Sequence, residues 1–224
     1  MNTTAARSAR FVLVVYRMPT KPTAGRVAVW RQLKKIGAIY LHQSVCVFPD
    51  TARTRRELQP IRQRIEQAGG EYHLLPLRQP SDEEYDKLVA QFVDQTSRQY
   101  SEIIENCEVN FQKEIEFETF RQNFTYEEAE EIRIEFDKIC NWFEQVKDRD
   151  WFGAPNQAEA KSWLDRCERL LEQFEARVYE IEKEVPSTSA VRKPRRNSRR
   201  GRVISMPVPS KDAVGAGSEA QSST

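Results

Sequence analysis

The stretch from Phe11 to Asp50 constrains the fold more than any other part of the chain. It opens with FVLVVYR, a run of β-branched and aromatic residues that predicts a strand. A helical pattern follows, in which Val27, Trp30 and Leu33 are expected to face inward. Two short apolar runs separated by polar residues then predict a hairpin. Strand, helix, strand, strand is the first half of a split βαβ unit.

A second helix and a last strand complete this unit. Asp50, Thr51 or Thr54 is suited to cap the helix, and Pro60 is expected either in its first turn or at a kink. The apolar run Tyr72–Leu77 predicts a strand that is covered by other parts of the protein. The chain is therefore predicted to be an α+β protein, in which residues 10–80 form a basic, ferredoxin-like βαββαβ domain after a flexible N-terminus at residues 1–9.

Residues 81–185 predict an acidic antiparallel helical bundle. Capping boxes begin at Ser81 and Thr125, and each precedes a long amphipathic pattern. We interpret Trp151 and Phe152, which lie in a loop, as a plug between the bundle and the first domain rather than as a recognition patch. Residues 186–224 contain few large apolar side chains and are predicted to be a disordered basic tail.

Charge is distributed unevenly along the chain, although the net charge is only +1. It is +10 for residues 1–80, −15 for residues 81–185 and +6 for the remainder. No apolar run is long enough to cross a membrane, and the first ten residues lack the apolar core of a secretory signal. The four cysteines lie far apart, so we expect a cytoplasmic protein with reduced thiols.

The basic surface is the strongest functional signal in the sequence. Arginine forks donate two hydrogen bonds to a phosphate, and such a surface binds polyanions in a salt-dependent way. The candidate nucleic-acid-binding residues are Arg26, Arg31, Lys34, Lys35, Arg53, Arg55, Arg56, Arg62, Arg64, Arg195, Arg196, Arg199 and Arg200. In the alternative interpretation, the basic domain and tail are neutralised by the acidic helices of the same chain or of a second copy, which leaves a homodimer open.

Catalytic chemistry has little support in the sequence. The basic domain holds few carboxylates for a catalytic metal, and Asp50 is the first of them. The two histidines, His42 and His73, have no ligand-like spacing to a cysteine, and three of the four cysteines fall on apolar helical stripes. Because no phosphate-binding loop or nucleophile motif is present, we predict no enzyme activity, no metal and no cofactor.

The serial order of these segments resembles the N-terminal domain of the ChrB family of chromate-resistance regulators. The resemblance is carried by FVLVVYRMP, by RVAVWRQLKKIGAIYLHQSVCVFPD and by AGGEYHLLPL. The later DWFGAPNQAEAKSWLDRCERLLE resembles the Asp-Phe-Phe-Pro loop of the family and the helix after it, and the likeness spans roughly residues 10–180. Trp151 and Gly153 stand where the family usually has Phe and Pro, and a basic tail stands where full-length ChrB has its chromate-responsive domain.

The resemblance implies a DNA-binding transcriptional regulator that is related to chromate resistance and is not catalytic. The strand-helix-hairpin is also similar to the middle domain of PaaX-type repressors and to the small CRISPR-adaptation subunit, which keeps a degenerate metal-dependent nuclease as one alternative. The other alternative is a protein–protein interaction or dimerisation module with no nucleic-acid role.

Overall fold

In the computed structural model, which describes residues 10–78 and 80–184, the first part of the chain forms a four-stranded antiparallel sheet. Its strands are β1 Phe11–Arg17, β2 Ile39–His42, β3 Val45–Pro49 and β4 Glu71–Leu77. They lie in the order β2-β3-β1-β4, and each neighbouring pair is antiparallel. Helices α1 (Thr23–Lys35) and α2 (Ala52–Gln67) connect them. The predicted α+β class is confirmed.

Helices α1 and α2 pack on the same face of the sheet. Their buried side chains, among them Leu33 and Leu58, share one core with Val12 and Val14 of β1. The side chain of Thr51 caps α2, because its Oγ1 accepts a hydrogen bond from the backbone N–H of Thr54 at 3.0 Å. Pro60 lies inside a continuous α2 and not in its first turn. Its ring faces solvent, where water can bond the backbone carbonyl that loses its helical donor.

The opposite face of the sheet packs against the helical part of the chain. Phe11 of β1 stacks on Phe92 at 6.1 Å between ring centroids and contacts Phe152 at 6.1 Å. The Trp151 ring meets Phe92 edge-on at 5.5 Å. Trp151 and Phe152 therefore fill the space between sheet and helices, which confirms their interpretation as a plug.

The prediction that the last strand is covered is wrong. Among the described residues, strand β4 pairs only with β1 and forms an edge of the sheet. Its side chains alternate between half-buried and exposed along most of the strand, and Leu75 is 50 % exposed. The apolar run suggested burial on both faces, but at this edge the helices cover the sheet incompletely. Pro76 suits an edge strand, where its missing N–H interrupts no central ladder.

Four helices and a π-helical segment form the rest of the described chain. They are α3 Asp82–Glu105, the π-helical segment Asn106–Phe111, α4 Gln112–Phe120, α5 Tyr126–Lys147 and α6 Gln157–Glu184. The side chains of Ser81 and Thr125 accept bonds from the N–H groups of Glu84 and Glu128, so both predicted caps are present. In residues 10–78 and 80–184, no helix is long and apolar enough to cross a membrane.

The π-helical segment was not predicted, because an uninterrupted helix was expected there. The buried residues Ile103, Cys107, Phe111 and Ile115 recur in steps of four. In an α-helix with 3.6 residues per turn, four-residue steps drift around the axis, whereas the wider π turn keeps them on one side. All four contribute to the core shared by the helices. The predicted tail at residues 186–224 and the N-terminus at residues 1–9 lie outside the described residues.

Candidate nucleic-acid interface

The solvent face of α1 carries cations and an exposed tryptophan. Val29 and Leu33 are buried against the sheet, whereas Val27 and Trp30 are 37 % and 43 % exposed. The prediction that Val27 and Trp30 face inward is therefore wrong. Four apolar residues fall within one turn, from Val27 to Trp30, so periodicity alone fits two different inward faces. The structure selects the face that contains Val29.

The α1 cations remain without acidic partners. Arg26, Arg31, Lys34 and Lys35 are exposed, and none forms an ion pair with an acidic side chain in the described part of the chain. The local sequence explains this, because residues 10–49 contain seven Arg and Lys residues and no Asp or Glu. The nearest helical neighbours of each cation are therefore neutral or positive, and its charge is left for water or an external anion.

Lys34 packs on the neighbouring strand. Its ammonium lies 5.2 Å from the centre of the Tyr40 ring, in cation–π geometry. Burial of the side chain lowers the pKa of Lys34. The Tyr40 and Tyr16 hydroxyls lie 3.2 Å apart, and burial raises the pKa of Tyr40. The aliphatic stem and head of Lys34 are thus held beside β2 at the rim of the α1 face.

Three of the five predicted α2 arginines are engaged by carboxylates. Arg55 binds both oxygens of Asp50, at 2.5 and 2.8 Å. Arg62 binds Glu66 at 2.8 Å, and Arg53 binds Glu57 and Asp148, each at 2.9 Å. The Arg55 hydrogen bonds lower the pKa of the Asp50 carboxyl.

These ion pairs lie at the surface. The side chains of Arg53, Arg55 and Arg62 are between 43 % and 51 % exposed. Exposed pairs are screened by water and contribute about 0–1 kcal/mol each, so a phosphate can compete for the arginine. Arg56 and Arg64 are exposed and make no ion pair with a described acidic residue. The sequence-predicted arginines of α2 therefore divide into three that are paired and two that are free.

The end of α5 connects the helices to α1 and α2. The Asp148 carboxylate accepts a hydrogen bond from Arg53 and forms an ion pair with it. Arg149 donates hydrogen bonds to the Gln99 side chain and to the backbone oxygen of Lys35. Burial lowers the pKa of Arg149, which has no carboxylate partner among the described residues. Apart from the Arg53–Asp148 pair, the described cations of residues 10–78 make no ion pair with a carboxylate of residues 80–184. The acidic helices therefore leave the basic faces of α1 and α2 largely uncovered.

The family model described as "Protein ChrB, N-terminal" matches residues 26–185. That match covers more than half of the chain. The chain belongs to the ChrB N-terminal family. No curated protein matches it, and no solved structure does. The matched region contains the free cations of α1 and the arginines of α2. It also contains Arg149, which lies at the contact between the sheet domain and the helices α3 to α6, called the joint below.

The tail arginines that were predicted to bind nucleic acid are Arg195, Arg196, Arg199 and Arg200. They lie beyond the match to the ChrB N-terminal family and outside the described residues. Their role stays a prediction from the sequence.

An acidic group at the turn between α4 and α5 escaped the sequence analysis. Carboxylate oxygens of Glu114, Glu118 and Glu128 lie within 4.8 Å of one another. Glu118 is only 4 % exposed and accepts bonds from Asn123 at 2.7 Å and Arg121 at 3.4 Å. Burial, followed by repulsion from Glu118, raises the pKa of Glu128. The protein's own amide and guanidinium groups thus satisfy the most buried member, so the arrangement has an explanation without a metal ion.

The cysteines lie in the protein's cores, in agreement with their interpretation as small hydrophobic residues. Cys46, Cys107 and Cys167 are buried, and Cys140 is half-buried. Burial raises the pKa of Cys46 to about 12, so its thiol stays protonated at neutral pH. None of the four forms a disulfide.

Proposed function

We propose that the chain is a DNA-binding transcriptional regulator related to chromate resistance, and that it acts without catalysis. Membership in the ChrB N-terminal family supports the link to chromate resistance. The element order of residues 10–78 and the strand order β2-β3-β1-β4 support a ferredoxin-like domain, which would present α1 and α2 on one side of the sheet. The basic faces of these helices would contact the phosphates.

The observation that carries this proposal is the unneutralised charge on α1. Arg26 and Arg31 project from a helix without acidic residues, and they stay exposed although the acidic helices belong to the same folded unit. If the acidic helices served to neutralise residues 10–78, several ion pairs like Arg53–Asp148 would join the two parts. Among the described residues, Arg53–Asp148 is the one ion pair that does so. An external polyanion is a partner that fits such a surface.

The test is a titration of the full chain with a fluorescent duplex taken from upstream of its own gene, followed by anisotropy at two salt concentrations. Each phosphate contact contributes about 0.9 to the slope of log K against log salt. We expect Arg26→Ala/Arg31→Ala to reduce that slope by about two. The control Arg98→Ala/Lys113→Ala removes the same charge from the acidic helices and should leave the number of phosphate contacts unchanged.

The double variant Arg55→Ala/Arg62→Ala should change the slope less, because those two arginines are already paired with Asp50 and Glu66. Absence of binding by the wild-type chain at low salt would refute the proposal. Equal slopes for the wild type and the Arg26→Ala/Arg31→Ala variant would move the contact away from α1.

The proposed absence of catalysis rests on Asp50. This acid follows β3 directly and is the first carboxylate of the chain, yet both of its oxygens accept hydrogen bonds from Arg55. A metal ion would have to displace that guanidinium. Magnesium-dependent cleavage of DNA that disappears in Asp50→Asn would contradict the proposal and restore the nuclease alternative.

A second candidate, a protein interaction module without a nucleic-acid role, is supported by exposed aromatic side chains near the α4–α5 turn. Phe117, Phe120 and Tyr126 are 52 %, 86 % and 58 % exposed. Exposed aromatic groups of this kind are enriched at protein interfaces. A concentration-dependent mass in sedimentation that Phe120→Ser abolishes, together with no DNA binding at low salt, would favour this candidate.

A further inference from the structure

Trp30 lies in the middle of the cationic face of α1. Arg26 is one turn before it and Lys34 one turn after it, and Arg31 is adjacent. Its side chain is 43 % exposed. Holding a large apolar ring in water is unfavourable, and tryptophan is among the residues that most often dominate binding energy at interfaces.

Part of the Trp30 ring has no specific partner in the fold. Within residues 10–78 and 80–184 it makes no aromatic pair, no cation–π contact and no hydrogen bond, and Trp30 is 43 % exposed. The other tryptophans differ in this respect. Trp151 packs on Phe92, Trp163 lies under Arg166, and Trp142 packs against the core of the helices. Trp30 therefore has a free aromatic surface with no structural role assigned to it.

The charge around Trp30 restricts the chemistry of its partner. Every charged residue between positions 10 and 49 is an arginine or a lysine, so the partner must supply anions beside an apolar plane. Nucleic acid supplies both, because phosphates alternate along the strand with planar bases. In a closed duplex, however, only the edges of the bases and the phosphates are accessible, since each base face is covered by its neighbours.

We propose that Trp30 stacks on a DNA base, and that the α1 face prefers DNA with locally unpaired bases over a closed duplex. This inference rests on the proposed function and specifies the form of its nucleic acid. Arg26, Arg31 and Lys34 hold the backbone, and the indole covers the base that has left the stack. Proteins that bind unpaired strands combine the same two elements, a basic groove and aromatic rings.

The experiment compares two fluorescent probes of the same upstream sequence, one fully paired and one with a short mismatched bubble. The full chain should bind the bubble more tightly than the paired duplex. Trp30→Ala should weaken binding to the bubble by about 5- to 150-fold, the range found for loss of one base–aromatic stack. Trp30→Phe should recover most of the affinity. The matched control is Val27→Ala, which removes another exposed apolar group from the same helix.

Salt separates stacking from charge. Trp30→Ala removes no charge, so its slope of log K against log salt should equal that of the wild type, whereas Arg26→Ala/Arg31→Ala should flatten it. Circular dichroism should be unchanged in Trp30→Ala, which shows that the variant folds. Its urea midpoint measures how much the covered part of the side chain contributes to stability, since only 43 % of Trp30 is exposed.

The outcomes distinguish this inference from the proposed function. If both probes bind equally and Trp30→Ala behaves as Val27→Ala does, the stacking role is wrong while DNA binding stands. If neither probe binds at low salt, the proposed function is wrong and the stacking role falls with it. If Trp30→Ala changes only the mass measured by sedimentation, Trp30 belongs to a protein interface and the inference is overturned.

Discussion

Gly37 shows how a single residue fixes the contact between sheet and helices. Its φ is +89°, a left-handed conformation, and a Cβ built there would lie 2.8 Å from a ring carbon of Trp151. The Trp151 ring cannot simply move away, because it packs on Phe92. Gly37 thus ends α1 and also leaves room for the aromatic plug.

We predict that Gly37→Ala lowers the free energy of unfolding by about 2–5 kcal/mol. About 1–2 kcal/mol is the cost of a left-handed residue with a Cβ, and about 1–3 kcal/mol comes from overpacking against Trp151. Gly69→Ala is the matched control, since Gly69 has φ +73° but no heavy atom within 4 Å of its added Cβ, and it should cost only about 1–2 kcal/mol. Urea unfolding followed by circular dichroism measures both. Equal losses of unfolding free energy in the two variants would show that the Trp151 ring moves aside without cost.

At the same scale, the sequence assigns some side chains and not others. It correctly placed Trp151 and Phe152 at the joint, because two aromatic residues in a loop between helices need somewhere to be buried. It wrongly placed Val27 instead of Val29 inward on α1, since both residues fit a 3.6-residue period. Val29 is the residue that packs against the sheet, and this depends on the three-dimensional fit of α1 on the sheet, which periodicity does not contain. The exposure of Trp30 follows from that choice.

The turn between α4 and α5 brings one buried and two less buried carboxylates together. Asn123 donates to Glu118 at 2.7 Å and to Glu128 at 3.0 Å, which links the two acids through one amide. Burial and the neighbouring charges raise the pKa of Glu128, so the folded protein holds this proton at a higher pH than the unfolded chain does. The stabilising effect of protonation is full below the unfolded pKa and is lost as the pH rises through the folded pKa.

We therefore predict that Glu128→Gln is more stable than the wild type near neutral pH and that its advantage shrinks towards about pH 4, the ordinary range for a glutamate. The glutamine oxygen can still accept the bond from Asn123, so the change removes charge with little loss of contact. The comparison is urea unfolding at several pH values. Glu127→Gln, an exposed neighbour in the same helical turn, is the control and should show no such trend.

The elements themselves were more predictable than their packing. The caps at Ser81 and Thr125 are local signals, and the structure has them where the sequence places them. The π-helical segment was missed because its cause is not local. It arises from the need to keep Cys107, Phe111 and Ile115 facing α5 and α6, which becomes visible only when the helices are packed. For the same reason, Tyr72–Leu77 predicted a strand but not an exposed edge.

Within residues 10–78 and 80–184, positive and negative charge are separated and are paired across the boundary at one place. The basic half and the acidic helices meet through apolar contacts at Phe11, Phe92 and Trp151, together with hydrogen bonds from Arg149. The Arg53–Asp148 pair is the described ion pair that crosses this joint, and its side chains are 43 % and 57 % exposed. The sequence showed the partition of charge but could not show whether the two halves pair. Whether the two parts form ion pairs depends on the direction in which the α1 and α2 cations point.

This arrangement predicts that salt affects stability and DNA binding to very different degrees. Apolar contacts hold the halves together, and exposed pairs contribute about 0–1 kcal/mol each, so the free energy of urea unfolding should change by less than about 1 kcal/mol between low and moderate salt. Over the same interval, binding of the upstream duplex should fall by about 10³-fold if six phosphates are contacted. Urea is the required denaturant because guanidinium chloride is itself a salt. A steep loss of stability with salt, together with weakly salt-dependent binding, would mean that the basic half serves the acidic helices and not DNA.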